Sequence, residues 1–187
     1  MKKRCSWANP QNDLYIKYHD EEWGVPLHDD NKLFEAITLD GAQAGLSWAT
    51  ILKKRENYRK AYDNFDPKKV AKYSEEKILG LLQDAGIVRN KLKVRSSVKN
   101  AKVFLEIQKE FGSFDKYLWG FVNGKPIKNK FKSEKDLPAK TELSDKLSKD
   151  LKKRGMSFVG STIIYAMMQA VGLVNDHQGD CFRYDQV

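Results

Sequence analysis

Two cysteines, three histidines and five prolines in 187 residues leave little room for several kinds of protein. Two thiols do not make the multi-bridge framework of a small secreted domain. So few prolines argue against a disordered or linker-rich chain. No run approaches the roughly 18 apolar residues that a membrane-spanning helix needs. The opening MKKRCSWANP carries basic residues with no apolar stretch behind them, so a cytoplasmic location is expected. No internal repeat stands out. What is present, 41% hydrophobic and 32% charged residues, is the balance of a soluble globular protein with one well-buried core, taken here as a single domain over 1–187.

Negative charge is in the minority. Lysine and arginine number 34 against 25 acids, a net charge of +9, and the excess is grouped at Lys53-Lys54-Arg55, from Arg89 to Arg95, and from Lys149 to Arg154. Basic clusters on helical segments point to a polyanion, most commonly nucleic acid.

The apolar residues recur mostly at helix spacing, which predicts an all-α fold. Asp66-Pro67 and Ser74-Glu75-Glu76 read as helix starts. Ile78, Leu81, Leu82 and Ala85 would face inward on a helix that stops at Gly86. The next helix would start near Asn90 and bury Leu92, Val98, Phe104 and Phe111. These two helices, over about 74–105, and the short turn between them are similar to a helix-hairpin-helix, whose second helix can offer backbone amides to a phosphate. Gly86 and Ile87 fit the usual turn, while Val88 stands where a second glycine is common. From Ile127 to Lys140 periodicity fades and a surface loop is expected; helices return at Thr141 and at Gly160-Ser161-Thr162.

One stretch concentrates chemistry. LDGAQAGLSW, Leu39 to Trp48, sets a lone carboxylate, two glycines and a tryptophan between two helical patterns. The spacing predicts a helix, an irregular corner and a second helix capped by Ser47, with Asp40 and Trp48 presented to one cavity. Four of the five cysteines and histidines lie near the termini: Cys5 and His19, then His177 and Cys181. Two thiolates and two imidazoles form the tetrahedral donor set of a structural Zn2+, which would clasp the termini together. A Cys5 to Cys181 disulfide, or four unrelated side chains, are the competing readings.

Longer motifs then coincide. Cys5-Ser6-Trp7, Tyr15 to Asp20 (YIKYHD), Glu22 to Pro26 (EWGVP), Gly41 to Trp48 (GAQAGLSW), Lys153-Arg154-Gly155, Phe158-Val159-Gly160 and Gly172 to His177 (GLVNDH) together resemble the 3-methyladenine DNA glycosylase I family, in order and over nearly the whole chain. The resemblance implies an all-α helix-hairpin-helix glycosylase acting as a monomer on double-stranded alkylated DNA. Such an enzyme hydrolyses the N-glycosidic bond of 3-methyladenine without cutting the strand.

It also implies a structural zinc on Cys5, His19, His177 and Cys181. A base pocket is implied with Asp40 as its acid, Tyr18 and Trp48 as stacking partners, and Tyr15, Trp7 and Trp23 in support. A wedge would lie at Gly45-Leu46, with further DNA contacts from Gly86, Arg89, Lys91, Lys153 and Thr162. The family commonly has glutamate where Asp40 stands. Asp40 would accept a hydrogen bond from the exocyclic amine and complement a cationic base, and its part in recognition or catalysis is open. A non-catalytic damage-binding module, or a strand-cutting lyase using Glu106 or Asp115, are the alternatives.

Overall fold

The computed structural model describes residues 2–187 and is mostly helical. The helices are α1 (Asp13–Glu21), α2 (Asp30–Gln43), α3 (Trp48–Ala61), α4 (Pro67–Val70), α5 (Glu75–Gln83), α6 (Lys91–Phe111), α7 (Phe114–Gly120), α8 (Glu142–Lys153) and α9 (Ser161–Ala170). Side-chain caps start most of them at the expected places: Ser47 accepts from Thr50 N–H, Asp66 from Lys68, Ser74 from Lys77, and Thr141 from Ser144. Each satisfies an amide with no partner inside its helix. Among the described residues no helix is long and apolar enough to cross a membrane.

The core is built around α2, whose Leu33, Phe34 and Ile37 are fully buried. Phe34 meets Phe104 of α6 edge-on at 5.2 Å, and Phe104 stacks on Phe114 of α7 at 4.1 Å. Ile164, Met167 and Met168 of α9 complete the same cluster. Each such side chain contributes about 1.5–3 kcal/mol by leaving water, so α2 is held firmly and whatever its last turn carries is fixed in space.

Four expectations change. The helix carrying Asp40 does not break at Gly41; it runs on to Gln43, and Gly41 packs closely on Phe158, which a Cβ there would meet at 3.3 Å. The irregular corner is therefore shorter, with Gly45 at φ +76°. The helix before the hairpin ends at Gln83 rather than Gly86, because Asp84 turns into an extended conformation and bonds back to Gly86 N–H at 2.7 Å.

Leu92 is 69% exposed and Phe111 39%, so neither serves the core. The stretch read as a surface loop holds β1 (Ile127–Lys128), paired in parallel with β2 (Val174–Asn175), with a further bridge from Phe131 to Gln178. The pairing draws this strap along the segment that bears His177.

Candidate base-binding cavity and metal cluster

A cavity of about 250 Å³ opens between α1, α2, α3 and α9. Trp7, Tyr15, Tyr18, Trp23, Asp40 and Trp48, six residues separated by as many as 41 positions, all line it. Tyr18 and Trp48 stand 5.4 Å apart, and Trp7 meets Trp23 edge-on at 4.9 Å. Gln43, Glu134, Leu137, Ala166 and Gln169 complete the wall. Gln43 was legible as the residue one helical turn after Asp40, on the same face. Glu134 and Leu137 come from the strap, where no periodicity marks them, and Ala166 and Gln169 read as ordinary positions of a core helix.

Asp40 is 4% exposed, and its Oδ2 has no hydrogen-bond partner. Burial pushes its carboxyl up to about 8, so in the unliganded cavity it is mostly protonated at neutral pH rather than ionised. Burial, and then the neighbouring Asp40, push the Tyr18 phenol well above its usual range. The indole Nε1 atoms of Trp7 and Trp48 are also buried and unpartnered. Three buried polar atoms without partners in one aromatic cavity represent a desolvation cost that a ligand with matching groups can relieve.

Leu46 projects from the corner, 39% exposed. It lines a shallow groove with Ile87, Val88 and Arg89 of the hairpin, so the expected wedge and the expected phosphate-binding turn share one face. The hairpin amides are not all outward. Asn90 takes those of Leu92 and Lys93, and Tyr58 Oη accepts that of Val88, while those of Arg89 and Lys91 have no partner among the described residues.

Gly86 packs against α3, where a Cβ would meet Asn57 at 3.0 Å. Arg89 and Lys91 form no ion pair among the described residues, whereas Arg55 is paired with Glu22, Arg95 with Glu75, and Arg154 with Glu110 and Asp150. The basic clusters are thus partly neutralised. Lys153 and Thr162 are exposed on α8 and the first turn of α9, outside both cavity and groove; Thr162 lies one turn before Ala166 on the same helix face.

The four terminal Cys and His residues do come together. Cys5, His19, His177 and Cys181 are buried, with their ligand atoms all within 4.8 Å of one another, and both cysteines are free. The rings are oriented for an inward donor. His19 Nδ1 bonds Asp20 at 2.7 Å, and Arg4 grips Asp20 in turn. His177 Nε2 bonds the Trp23 carbonyl at 3.0 Å. Each imidazole therefore turns its other nitrogen toward the thiols, the outer-sphere arrangement of a metal-binding histidine. The close approach of the two thiols lowers Cys181 and raises Cys5. The cluster can hold a metal ion.

A family model described as methyladenine glycosylase matches residues 7–184. The chain is 51% identical to a DNA-3-methyladenine glycosylase of Haemophilus influenzae, over 97% of each chain. It is similar to a crystal structure of a 3-methyladenine DNA glycosylase I, with a TM-score of 0.93 and 50% identity over 96% of this chain and 98% of the other. A structure describing 3-methyladenine recognition by the Staphylococcus aureus glycosylase I aligns with a TM-score of 0.92 at 37% identity, covering 96% and 95% of the two chains.

Proposed function

The chain belongs to the methyladenine glycosylase family, and from that premise we propose that it excises 3-methyladenine from alkylated double-stranded DNA by hydrolysing the N-glycosidic bond. The observation that carries this reading is the unpartnered Asp40 Oδ2 inside a cavity walled by Tyr18, Trp48, Trp7, Trp23 and Tyr15. Methylation at N3 leaves the base cationic while it is still attached to the sugar. Faces of Tyr18 and Trp48 attract such a ring, by about 1–2 kcal/mol in a desolvated pocket. The entering positive charge favours the ionised form of Asp40, which then accepts from the base and offsets its charge.

Water supplies hydroxide to C1′ and a proton to solvent; the glycosidic electron pair leaves with the base, which departs neutral. The leaving group is already activated, so binding the extruded base is the larger part of the work. Leu46 fills the gap in the stack, and Arg89, Lys91 and the hairpin amides of the helix-hairpin-helix hold the backbone. Among the described residues no lysine lines this cavity, in keeping with simple hydrolysis rather than a lyase reaction; Lys17 and Lys32 line the adjoining cleft on the other side of Asp40.

The metal is a structural Zn2+ on Cys5, His19, His177 and Cys181, in keeping with two thiolates and two imidazoles that leave no position for a reacting water. It would bind the two ends of the chain together behind the aromatic wall. The protein works in this reading as a monomer in the cytoplasm.

Incubating it with methylated DNA and measuring free 3-methyladenine tests the function. Release well above the spontaneous rate is expected, with a loss of at least about tenfold in Asp40→Asn; no release by the wild type sinks the reading.

A further inference from the structure

We propose that Gln169 is a specificity-determining residue of the base cavity, a fixed acceptor that selects a purine with a 6-amino group over one with a 6-oxo group. The inference rests on the excision reading above.

Gln169 lies in the last turn of α9 and lines the cavity together with Ala166. Its backbone carbonyl accepts Gly24 N–H at 3.0 Å, which anchors the residue against the loop after α1. Its side-chain Nε2 donates to Asp176 Oδ2 at 2.8 Å. That carboxyl is 1% exposed and already crowded with donors: the Tyr165 hydroxyl reaches the same oxygen at 2.5 Å, and Asn129 Nδ2 from the strap reaches Oδ1 at 2.7 Å.

A flipped Gln169 amide would set its oxygen against an acceptor oxygen that already takes the Tyr165 hydroxyl. The amide therefore has one sense. Nε2 is consumed by Asp176, and Oε1, which takes no hydrogen bond from the described residues, is the free end.

A carbonyl oxygen that cannot turn reads one feature of a base. Opposite the 6-amino group of 3-methyladenine it gains a hydrogen bond. Opposite the 6-oxo group of 3-methylguanine two acceptors face each other, and both lose their solvent partners. Asp40, ionised by the entering cation, accepts from the base as well. The cavity thus combines that carboxylate with an amide locked from behind, and the lock is built from α9, the strap and the segment following β2.

The test is Gln169→Leu, which keeps the approximate volume and removes the acceptor. Methylated DNA carrying both lesions is treated with wild type and variant, and released 3-methyladenine and 3-methylguanine are separated and quantified. In the variant the ratio of kcat/KM for the two bases is expected to fall about tenfold, the equivalent of one hydrogen bond. A folded variant with an unchanged ratio overturns the proposal. A second measurement does not depend on the variant's folding. Tryptophan fluorescence quenching compares the binding of free 3-methyladenine and 3-methylhypoxanthine to the wild type, and equal affinities also overturn it. Wild type that releases no base but separates the two free bases, with Gln169→Leu losing that separation, would instead count against the excision reading and leave Gln169 as the selector.

Discussion

Asp40 is the residue at which burial and chemistry pull in opposite directions. In the unfolded chain its carboxyl ionises near pH 4, and in the folded chain only near pH 8. Between those values the native state binds more protons than the unfolded state, so stability falls as pH rises, by up to about 1.4 kcal/mol per pH unit. Denaturant titrations from pH 4 to 8 should show that decline in the wild type, and Asp40→Asn should flatten it. A slope that survives in the variant would assign the decline to other groups. Leu46 makes the opposite case, an apolar side chain left half in water. Leu46→Ala should change stability by less than about 0.5 kcal/mol while lowering excision from duplex DNA. Binding of the free base, measured by fluorescence, should stay unchanged, because the cavity does not include Leu46.

At the scale of elements, the decisive object is the junction between α2 and α3. The C-terminal carbonyls of α2 carry the negative end of its dipole, and Lys93 of α6 reaches across to bond the carbonyls of Ala42 at 2.8 Å and Ala44 at 2.5 Å. Burial lowers the Lys93 ammonium below its usual value, so the contact is partly withdrawn from solvent. One side chain thus ties the helix after the hairpin to the corner that presents Leu46, and sets the spacing of the two parts proposed to face DNA. Replacing it should uncouple them. Lys93→Met is expected to raise KM for alkylated duplex severalfold, with affinity for free 3-methyladenine nearly retained; Lys93→Arg should restore part of the loss. Equal losses in duplex and free-base binding would mean that Lys93 supports the whole fold instead.

Across the whole molecule, the terminal cluster acts on the cavity from behind. Trp23 packs on His177 at 4.7 Å and Trp7 on His19 at 5.2 Å, so two walls of the candidate base cavity lean directly on two candidate metal ligands. The strap adds a second tie, since its pairing with β2 and the Asn129 to Asp176 bond bring Glu134 and Leu137 to the same opening. Metal analysis of purified protein should find about one equivalent of zinc. Chelation, or Cys181→Ser, should lower the thermal midpoint by several degrees, the usual response to a loss of about 1–3 kcal/mol. It should also weaken base binding through the loosened tryptophans. An unchanged midpoint together with substoichiometric metal would remove the clasp.

Local sequence determined a good deal of this protein. Helix starts at Ser47, Asp66, Ser74, Asn90 and Thr141 follow from side chains that satisfy nearby amides, a matter of two or three residues' distance. The metal cluster and the aromatic cavity were legible for a different reason: cysteine and histidine are too scarce here to be scattered by chance into both termini, and the motifs holding Asp40, Tyr18 and Trp48 are long. Tertiary structure alone decided the rest. Phe158 packs so near Gly41 that a Cβ there would be crowded, and the strap becomes a cavity wall because β1 finds β2 some 47 residues away. The protonation of Asp40 and the sense of the Gln169 amide depend on burial and on partners remote in the chain, and no local pattern carries that information.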